Sequence, residues 1–340
     1  MLKSGLKWMF LIMGTTIGAG YASGREIWQF FGPDSVLAIL LFALLFSICC
    51  FVIMTISYEY GTVHYIPVLQ TLLGRKLTSV YDIMIVLYLF TTTVIMLAGG
   101  GAALEMIKIP YWAGIGIISG LVICLFLWDI KGLLSMNTFI IPVLIILLIG
   151  VLGVFFFSDQ NSTSSSLWRL HEKWPAALTF TAFNILALVA VLSGVGSEIK
   201  HKGEIWIASV GSGVILGAIS LLYNQSLLQV SNDMMLYEIP LFAILKHYPY
   251  YMVVVMSALL WSAIYTTAAS GVFGLISRVR EYFNWPLWLL ALVFVLAMVP
   301  LTKFGFATLI AVLYPIYGVL NLYILAAILI YPIAKRYRLS

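Results

Sequence analysis

The sequence predicts an all-α integral membrane protein whose ten transmembrane helices form a 5+5 inverted repeat, with the first and sixth helices broken. Three observations lead to this fold class. Of the 340 residues, 63% are hydrophobic and only 9% are charged, whereas soluble domains carry about 25% charged residues. Apolar runs long enough to cross a bilayer recur along nearly the whole chain. Glycine-rich interruptions stand in the first and sixth of these runs. Because no segment is left over for a soluble domain, we expect a single membrane domain over residues 1–340.

The spans follow from hydropathy, and polar stretches mark their ends. We place them at residues 7–31, 35–57, 79–106, 111–128, 135–157, 176–199, 205–229, 251–277, 285–301 and 305–333. Two connections are apolar enough for interfacial helices, and a third is a polar outer loop. These connections are residues 58–78, 231–250 and 158–166.

Positive charges set the orientation of the spans. With the amino terminus in the cytoplasm, twelve lysines and arginines fall on the cytoplasmic side, five fall outside, and Arg25 stays within the first span. We therefore expect a multi-pass protein of the plasma membrane with both termini in the cytoplasm. The start of the chain also resembles a signal peptide. We expect it to be retained, because Arg25 and Glu26 follow its small residues and a second span follows at once.

The first span holds the least usual stretch, "GTTIGAGYASGREIWQFFG" at residues 14–32. Gly14, Gly18 and Gly20 fall within seven residues, and threonines, a serine and an Arg-Glu pair accompany them. In lipid, a helix opens its backbone only where the freed N–H and C=O groups line a cavity or meet a partner. The stretch therefore predicts a break that presents bare backbone to a solute. The alternative is a packing groove, because Gly14 and Gly18 have the i, i+4 spacing of closely packed helices.

The sixth span repeats part of this pattern. Its "GSEI" at residues 196–199 echoes "GREI" at residues 24–27. Five spans precede the second break and five begin with it, so residues 7–157 (first repeat) and 175–333 (second repeat) have opposite orientations in the membrane. Inverted repeats with broken first helices place a solute site near the bilayer midplane.

This combination resembles the LeuT-type fold of the amino acid–polyamine–organocation superfamily. Within it, residues 14–32 resemble the YkvI-type family of bacterial membrane proteins. The resemblance covers all ten spans in topology, including an inner helix before span three and an outer helix before span eight. It implies alternating access and a small organic solute held between spans 1, 3, 6 and 8.

The resemblance also implies an ion site. Sodium-coupled members of this fold bind the ion between backbone carbonyls of span one and three residues of span eight at i, i+3 and i+4. Ala263, Thr266 and Thr267 have that spacing, and Gly14 and Ile17 stand at the matching carbonyl positions. Five oxygens without a carboxylate suit a monovalent cation, so sodium is the expected ion and no other cofactor is expected. Alternatively, both threonines bond to carbonyls of their own helix.

Proton-coupled members of the fold place a lysine of span five in the ion position. Span five has no lysine here, which favours sodium. A proton carried by a glutamate is the alternative.

Ionisable residues in the spans are candidates for a gate or a proton site. In the resembled fold, an arginine near the position of Arg25 closes the outer gate against an acid of span ten. Span ten has no acid here, so Glu105 is the expected partner, unless both side chains reach the interface separately. Glu26 and Glu198 are expected at opposite ends of the bundle, as proton sites or as helix caps and local acceptors.

The expected solute-binding residues surround the two breaks and the facing spans. They are Thr15, Thr16, Gly18, Gly20, Thr92, Asn184, Ser193, Gly194 and Gly196. Tyr265 is a candidate lid. For the threonines, packing between helices is the alternative.

These patterns predict a secondary transporter, in particular a sodium-coupled symporter of an amino acid or similar small organic solute. The alternatives are a proton-coupled transporter and a non-transporting solute sensor, as in the germination-type receptor subunits of the same superfamily. An enzyme is not expected, because the four histidines are scattered in loops and no nucleophile–base or metal-ligand spacing occurs. The expected partners are a small solute and the lipid bilayer, with no nucleic acid. The sequence leaves the oligomeric state open.

Overall fold

The computed structural model describes residues 1–33, 35–127, 131–158, 173–234, 236–279 and 285–339. These residues form helices joined by short connections, and no β-strand occurs among them. The polar loop predicted at residues 158–166 lies outside the described residues from 159 onward.

Seven helices form the first half of the described chain. They are α1 (Leu2–Thr16), α2 (Ala19–Ala22), α3 (Arg25–Phe30), α4 (Val36–Tyr60), α5 (Ile66–Glu105), α6 (Tyr111–Leu125) and α7 (Lys131–Ser158). The first predicted span is thus divided into α1, α2 and α3. Helix α5 joins the expected interfacial helix to the third span through Gly74, whose backbone (φ 77°, ψ 169°) is not helical.

The second half adds eight α-helices and two 3₁₀ helices. They are α8 (Pro175–Leu192), a 3₁₀ helix (Ser193–Glu198), α9 (Lys202–Gln229), α10 (Ser231–Met234), α11 (Leu241–Leu245), α12 (Tyr250–Val279), α13 (Leu287–Met298), a 3₁₀ helix (Val299–Phe304), α14 (Phe306–Leu320) and α15 (Leu322–Leu339). The short helix α11 lies in the connection where an outer helix was expected.

Among the described residues, seven helical stretches are long and apolar enough to cross a membrane. Two shorter apolar helices, Tyr111–Leu125 and Pro142–Phe157, accompany them. The first predicted span is not among the seven because it is divided. The chain is therefore a multi-pass helical membrane protein.

The helices pack in two groups that meet around the divided first span. Helices α1 and α4 each contact α8 and α9, whereas α5, α6, α12 and α13 all contact one another. Helix α2 contacts α12, and α3 contacts α14. The interrupted part of the first span therefore lies at the junction between the groups.

Glycines bring α4 and α9 close together. A Cβ added to Gly213 would lie 1.9 Å from Ser47 Oγ and 2.8 Å from the carbonyl oxygen of Ala43. A Cβ on Gly217, one turn later, would lie 2.7 Å from the Ala43 Cβ. This i, i+4 pair of glycines is the small-residue packing typical of membrane helices. It fixes the position of α4 against α9.

One face of the bundle, here called the N-side because α1 begins there, is held by three ion pairs. They are Lys7 Nζ–Glu198 Oε2 at 3.1 Å, Arg278 Nη2–Asp82 Oδ1 at 2.6 Å, and Lys335 with Glu59. The Tyr65 hydroxyl also donates to Asp82 Oδ1 at 2.7 Å. The start of α5 and the end of α12 are thus joined at this face.

The opposite face, here called the far side, is closed partly by the connection between α9 and α12. Lys246 Nζ lies 3.0 Å from Asp233 Oδ2, and this hydrogen bond raises the pKa of the Lys246 ammonium group. Glu238 Oε2 accepts a 2.7 Å hydrogen bond from the backbone N–H of Ala307, at the start of α14. These two contacts hold the connection against the far end of the bundle.

Candidate functional site

The first span opens after Thr16. Ile17 (φ −81°, ψ 74°) and Gly18 (φ −87°, ψ −173°) leave helical geometry. The Gly18 N–H donates to the carbonyl of Thr16 at 2.9 Å instead of to the carbonyl of Gly14, four residues back. Within the described residues, the carbonyls of Gly14 and Ile17 therefore accept no hydrogen bond. A Cβ added to Gly18 would meet no atom within 4 Å, so the break borders open space.

A second interruption follows at Ser23 and Gly24. Gly24 is left-handed (φ 78°, ψ −8°), and a Cβ there would lie 2.7 Å from the Tyr223 hydroxyl, so the position requires glycine. The Tyr223 hydroxyl donates to the Ala22 carbonyl at 2.9 Å, and the Leu241 N–H donates to the Ser23 carbonyl at 3.0 Å. Helix α2 is thus held between α9 and α11.

Beyond this second interruption, the Glu26 side chain turns back toward the break. A Cβ on Gly20 would lie 2.0 Å from Glu26 Oε1, so the glycine leaves the space that the carboxylate occupies. Glu26 is only 5% exposed, and the helix that carries it, α3, packs near aromatic rings of α8, since the ring centroids of Phe30 and Phe183 lie 5.7 Å apart. Among the described residues, none forms a hydrogen bond or an ion pair with this carboxylate.

Aromatic rings surround the region of Glu26. Phe183 in α8 stacks on Tyr314 with ring centroids 4.3 Å apart. Tyr88 presents its ring edge-on to Phe183 at 6.2 Å and to Tyr317 at 5.2 Å. Sequence reasoning missed these residues, because it assigned most aromatics to the membrane interfaces. Their positions near the middle of three apolar spans were the available signal.

The span-eight residues of the expected ion site lie together. Thr266 Oγ1 is 3.0 Å and Thr267 Oγ1 is 2.8 Å from the carbonyl oxygen of Ala263, to which both hydroxyls donate. Thr266 is fully buried, and Thr267 is partly exposed. The back-bonding expected as an alternative is therefore present.

The expected partner of Arg25 requires a correction. Among the described residues, Arg25 forms an ion pair with neither Glu105 nor any other acid, although the charge of Glu238 adds to its electrostatic environment. Arg25 is half-buried, and its Nε has no hydrogen-bond partner among the described residues. Glu238 reaches this region because the connection that carries it folds over the start of α14. The sequence interpretation considered only acids near the spans, and Glu238 lies between α10 and α11.

The second glycine-rich segment packs rather than opens. Ser193, Gly194 and Gly196 belong to a 3₁₀ helix, and the Thr62 hydroxyl donates to the Ser193 carbonyl at 2.7 Å. A Cβ on Gly196 would lie 2.2 Å from the carbonyl oxygen of Ser57, at the end of α4. A Cβ added to Gly194 would lie 3.8 Å from the carbonyl oxygen of Val63, which is an ordinary packing contact. The 3₁₀ helix that interrupts span six therefore packs closely against the end of α4 on the N-side.

The remaining predicted polar residues mostly bond within their own helices. The hydroxyls of Thr15, Thr16 and Thr92 donate to the carbonyls four residues earlier, and Asn184 Nδ2 donates to the Phe180 carbonyl at 2.8 Å.

The last two predicted positions lie away from the break. Tyr265 stacks on Trp261 and donates to the Leu121 carbonyl at 3.3 Å. Glu198 is exposed on the N-side with Lys7, whereas Glu26 is buried beside the break.

The divided first span and the two helix groups define a membrane protein of the LeuT-type fold. The structure of MhsT in complex with L-phenylalanine matches with a TM-score of 0.69 at 15% identity, covering 94% of this chain and 88% of that one. The inward-facing structure of Mhp1 matches with a TM-score of 0.64 at 14% identity, covering 93% and 73%. A manganese transporter of Eremococcus coleocola matches at 0.53 and 17% identity, covering 88% and 70%. These three matches show the fold of the chain.

The chain belongs to the family of "Uncharacterized protein YyaD" of Bacillus subtilis (strain 168), with which it is 48% identical over 336 residues that cover 99% of each protein. It is also 25% identical to "Uncharacterized membrane protein YkvI" of the same organism over 331 residues, 94% of each. The resemblance to the YkvI-type proteins is thereby confirmed. No protein-family model matches the chain.

Proposed function

We propose that this protein is a secondary active transporter, and specifically a sodium-coupled symporter of an amino acid or similar small organic solute. The observation that carries the proposal is the break at Ile17 and Gly18 inside a membrane span. The carbonyls of Gly14 and Ile17 accept no hydrogen bond among the described residues, and a Cβ on Gly18 would meet no atom within 4 Å. Such carbonyls are costly within a membrane unless water or a ligand satisfies them. MhsT, solved in complex with L-phenylalanine, has the same fold, which supports an amino acid-like solute.

Sodium is the proposed coupling ion because the candidate ligands are neutral oxygens. Both threonine hydroxyls of α12 lie within 3.0 Å of the Ala263 carbonyl oxygen. The free carbonyls of Gly14 and Ile17 would complete a set of five. A set of this kind suits a weakly bound monovalent cation, whereas divalent cations usually require carboxylates.

Alternating access would move the group that contains α1, α4, α8 and α9 against the group formed by α5, α6, α12 and α13. In this proposal, residues 7–157 and 175–333 are inverted halves of five spans each, and the ten spans lie in the plasma membrane with both termini and the N-side in the cytoplasm. The N-side ion pairs would close the inner access, and Arg25 with Glu238 would close the outer access.

Proton coupling is a second candidate, favoured by one observation. Glu26 is buried beside the break without a cationic partner among the described residues. A carboxyl group in that position is able to carry a proton across the membrane during the transport cycle.

Sodium is expected to stabilise the purified protein against thermal unfolding, relative to potassium at equal ionic strength. A ligand that binds only the folded state at about 100 times its dissociation constant adds about 2.7 kcal/mol to the free energy of unfolding. The measurement is a melting curve in detergent over a sodium titration, with potassium replacing sodium. Identical curves in the two salts would contradict sodium binding, and a pH-dependent curve would then favour the proton-coupled candidate.

A further inference from the structure

We infer that Glu26 is the counter-charge for a cationic amino group of the transported solute, so that the solute class is organic amines, with or without a carboxylate. This inference rests on the proposed transport function and names the group by which the solute is recognised. The geometry that carries it is a buried carboxylate held against the broken part of the first span, with which no cationic side chain among the described residues forms an ion pair.

The charge of Glu26 is not neutralised within the described residues. The four ion pairs found there all involve other carboxylates. The adjacent Arg25 forms no ion pair with Glu26. Burying an unpaired carboxylate costs several kcal/mol, and the cost is removed when a cation of suitable geometry pairs with it. Among the described residues no lysine or arginine pairs with Glu26, so the solute is the proposed source of the cation.

The position of the carboxylate is fixed by the chain around it. Its Oε1 atom lies in space that a side chain at residue 20 would fill, since a Cβ on Gly20 would be only 2.0 Å away. The left-handed Gly24 separates α2 from α3 and lets the Glu26 side chain fold back beside α2. The absence of a side chain at Gly20 therefore leaves room for the Glu26 carboxylate beside the break. This role differs from the one expected from the sequence, in which Gly20 exposes its backbone to the solute.

The surrounding rings suit a cation. Tyr88, Phe183 and Tyr314 come from α5, α8 and α14, and the Phe183 centroid lies 6.2 Å from that of Tyr88 and 4.3 Å from that of Tyr314. Phe183 also lies 5.7 Å from Phe30 of α3, the helix that carries Glu26. Aromatic faces attract ammonium groups through their quadrupole. They also pack against an apolar solute body. A carboxylate with aromatic walls thus selects an amine that carries a hydrocarbon portion.

The test uses matched sets of compounds that differ only in charged groups. For a phenyl body the set is L-phenylalanine, phenethylamine and 3-phenylpropionate, and equivalent sets follow from leucine and alanine. In the unaltered protein, the amino acid and the amine of at least one set are expected to raise the melting temperature in a saturable way, and the acid alone is not. In Glu26→Gln, the dissociation constant for the amine is expected to rise about 30-fold or more, as for other buried charge pairs that lose one partner.

Three further variants make the result interpretable. Gly20→Ala keeps the charge but displaces the carboxylate, so it should also weaken amine binding. Glu26→Asp should restore part of the affinity. Asp233→Asn removes a carboxylate that pairs with Lys246 on the far side, and it should bind amines as the unaltered protein does. Sodium stabilisation in Glu26→Gln shows that the variant is folded with its ion site intact.

Two outcomes would overturn the inference while leaving the transport proposal standing. One is equal amine binding by Glu26→Gln and the unaltered protein, with sodium stabilisation retained in both. The other is binding of the acid compounds without any binding of amines. If neither sodium nor any compound of the three sets stabilises the unaltered protein, the inference and the proposed symport fail together.

Discussion

Replacing Thr266 and Thr267 together by valine is expected to abolish sodium stabilisation while leaving the protein folded. Valine keeps the volume of each side chain and removes both hydroxyl oxygens, which lie within 3.0 Å of the Ala263 carbonyl oxygen. Two of the five proposed sodium ligands would be lost, and three remaining carbonyls bind a monovalent ion too weakly to compete with water. The sodium-dependent increment in the free energy of unfolding, about 2.7 kcal/mol near saturation, should fall to almost zero.

A matched control comes from the same helix. The Ser277 hydroxyl also donates to the carbonyl four residues earlier, at 2.8 Å, but it is exposed near the end of α12. Ser277→Ala therefore removes a back-bonded hydroxyl away from the proposed ion site and should retain the full sodium effect. If the double valine variant responds to sodium as the unaltered protein does, the ion does not bind at these hydroxyls.

The second large effect is expected for Gly196→Ala, which should destabilise the protein strongly. The new Cβ would lie 2.2 Å from the carbonyl oxygen of Ser57 and 2.9 Å from the backbone nitrogen of Thr62. These are backbone atoms of a turn closed by its own hydrogen bond, because the Thr62 N–H donates to the Ser57 carbonyl at 3.0 Å. Relief of the clash must therefore separate the 3₁₀ helix from α4. The expected loss is about 3 kcal/mol, the upper part of the usual range for overpacking.

Thermal unfolding of the purified variant measures this loss. Gly120→Ala is the control, since Gly120 lies exposed on α6 and an added Cβ meets no atom within 4 Å. Its melting temperature should stay unchanged or rise slightly, because alanine favours the helix over glycine. A Gly196→Ala variant as stable as this control would show that the 3₁₀ helix does not pack against α4 as closely as described.

The break in the first span could be predicted because glycine and threonine are unusual in a helix that lipid surrounds. Gly18 leaves helical geometry as that pattern indicated. The same reasoning located the interruption in span six but not its form. Whether Gly196 lies in an open segment or in a 3₁₀ helix depends on how closely the Ser57 carbonyl approaches, and no local pattern encodes that distance.

The aromatic residues near Glu26 could not be located from the sequence. In a soluble protein, polarity distinguishes buried from exposed faces, but in a membrane span both the lipid-facing and the buried faces are apolar. Tyr88, Phe183 and Tyr314 therefore carry no mark of the face on which they lie. The relation of Arg25 to Glu238 was hidden for another reason: it depends on how a connection late in the chain folds over the far end of the bundle.

The central claim is that the divided first span forms the solute and ion site of a sodium-coupled transporter. The most direct test is uptake by the purified protein in proteoliposomes, using labelled amino acids and amines with an inward sodium gradient at fixed membrane potential. The account predicts that at least one of these solutes accumulates above its external concentration, and that collapsing the sodium gradient abolishes this accumulation. Binding of a solute without any accumulation would contradict the transport claim and indicate a sensor, and accumulation that ignores the sodium gradient would contradict sodium coupling.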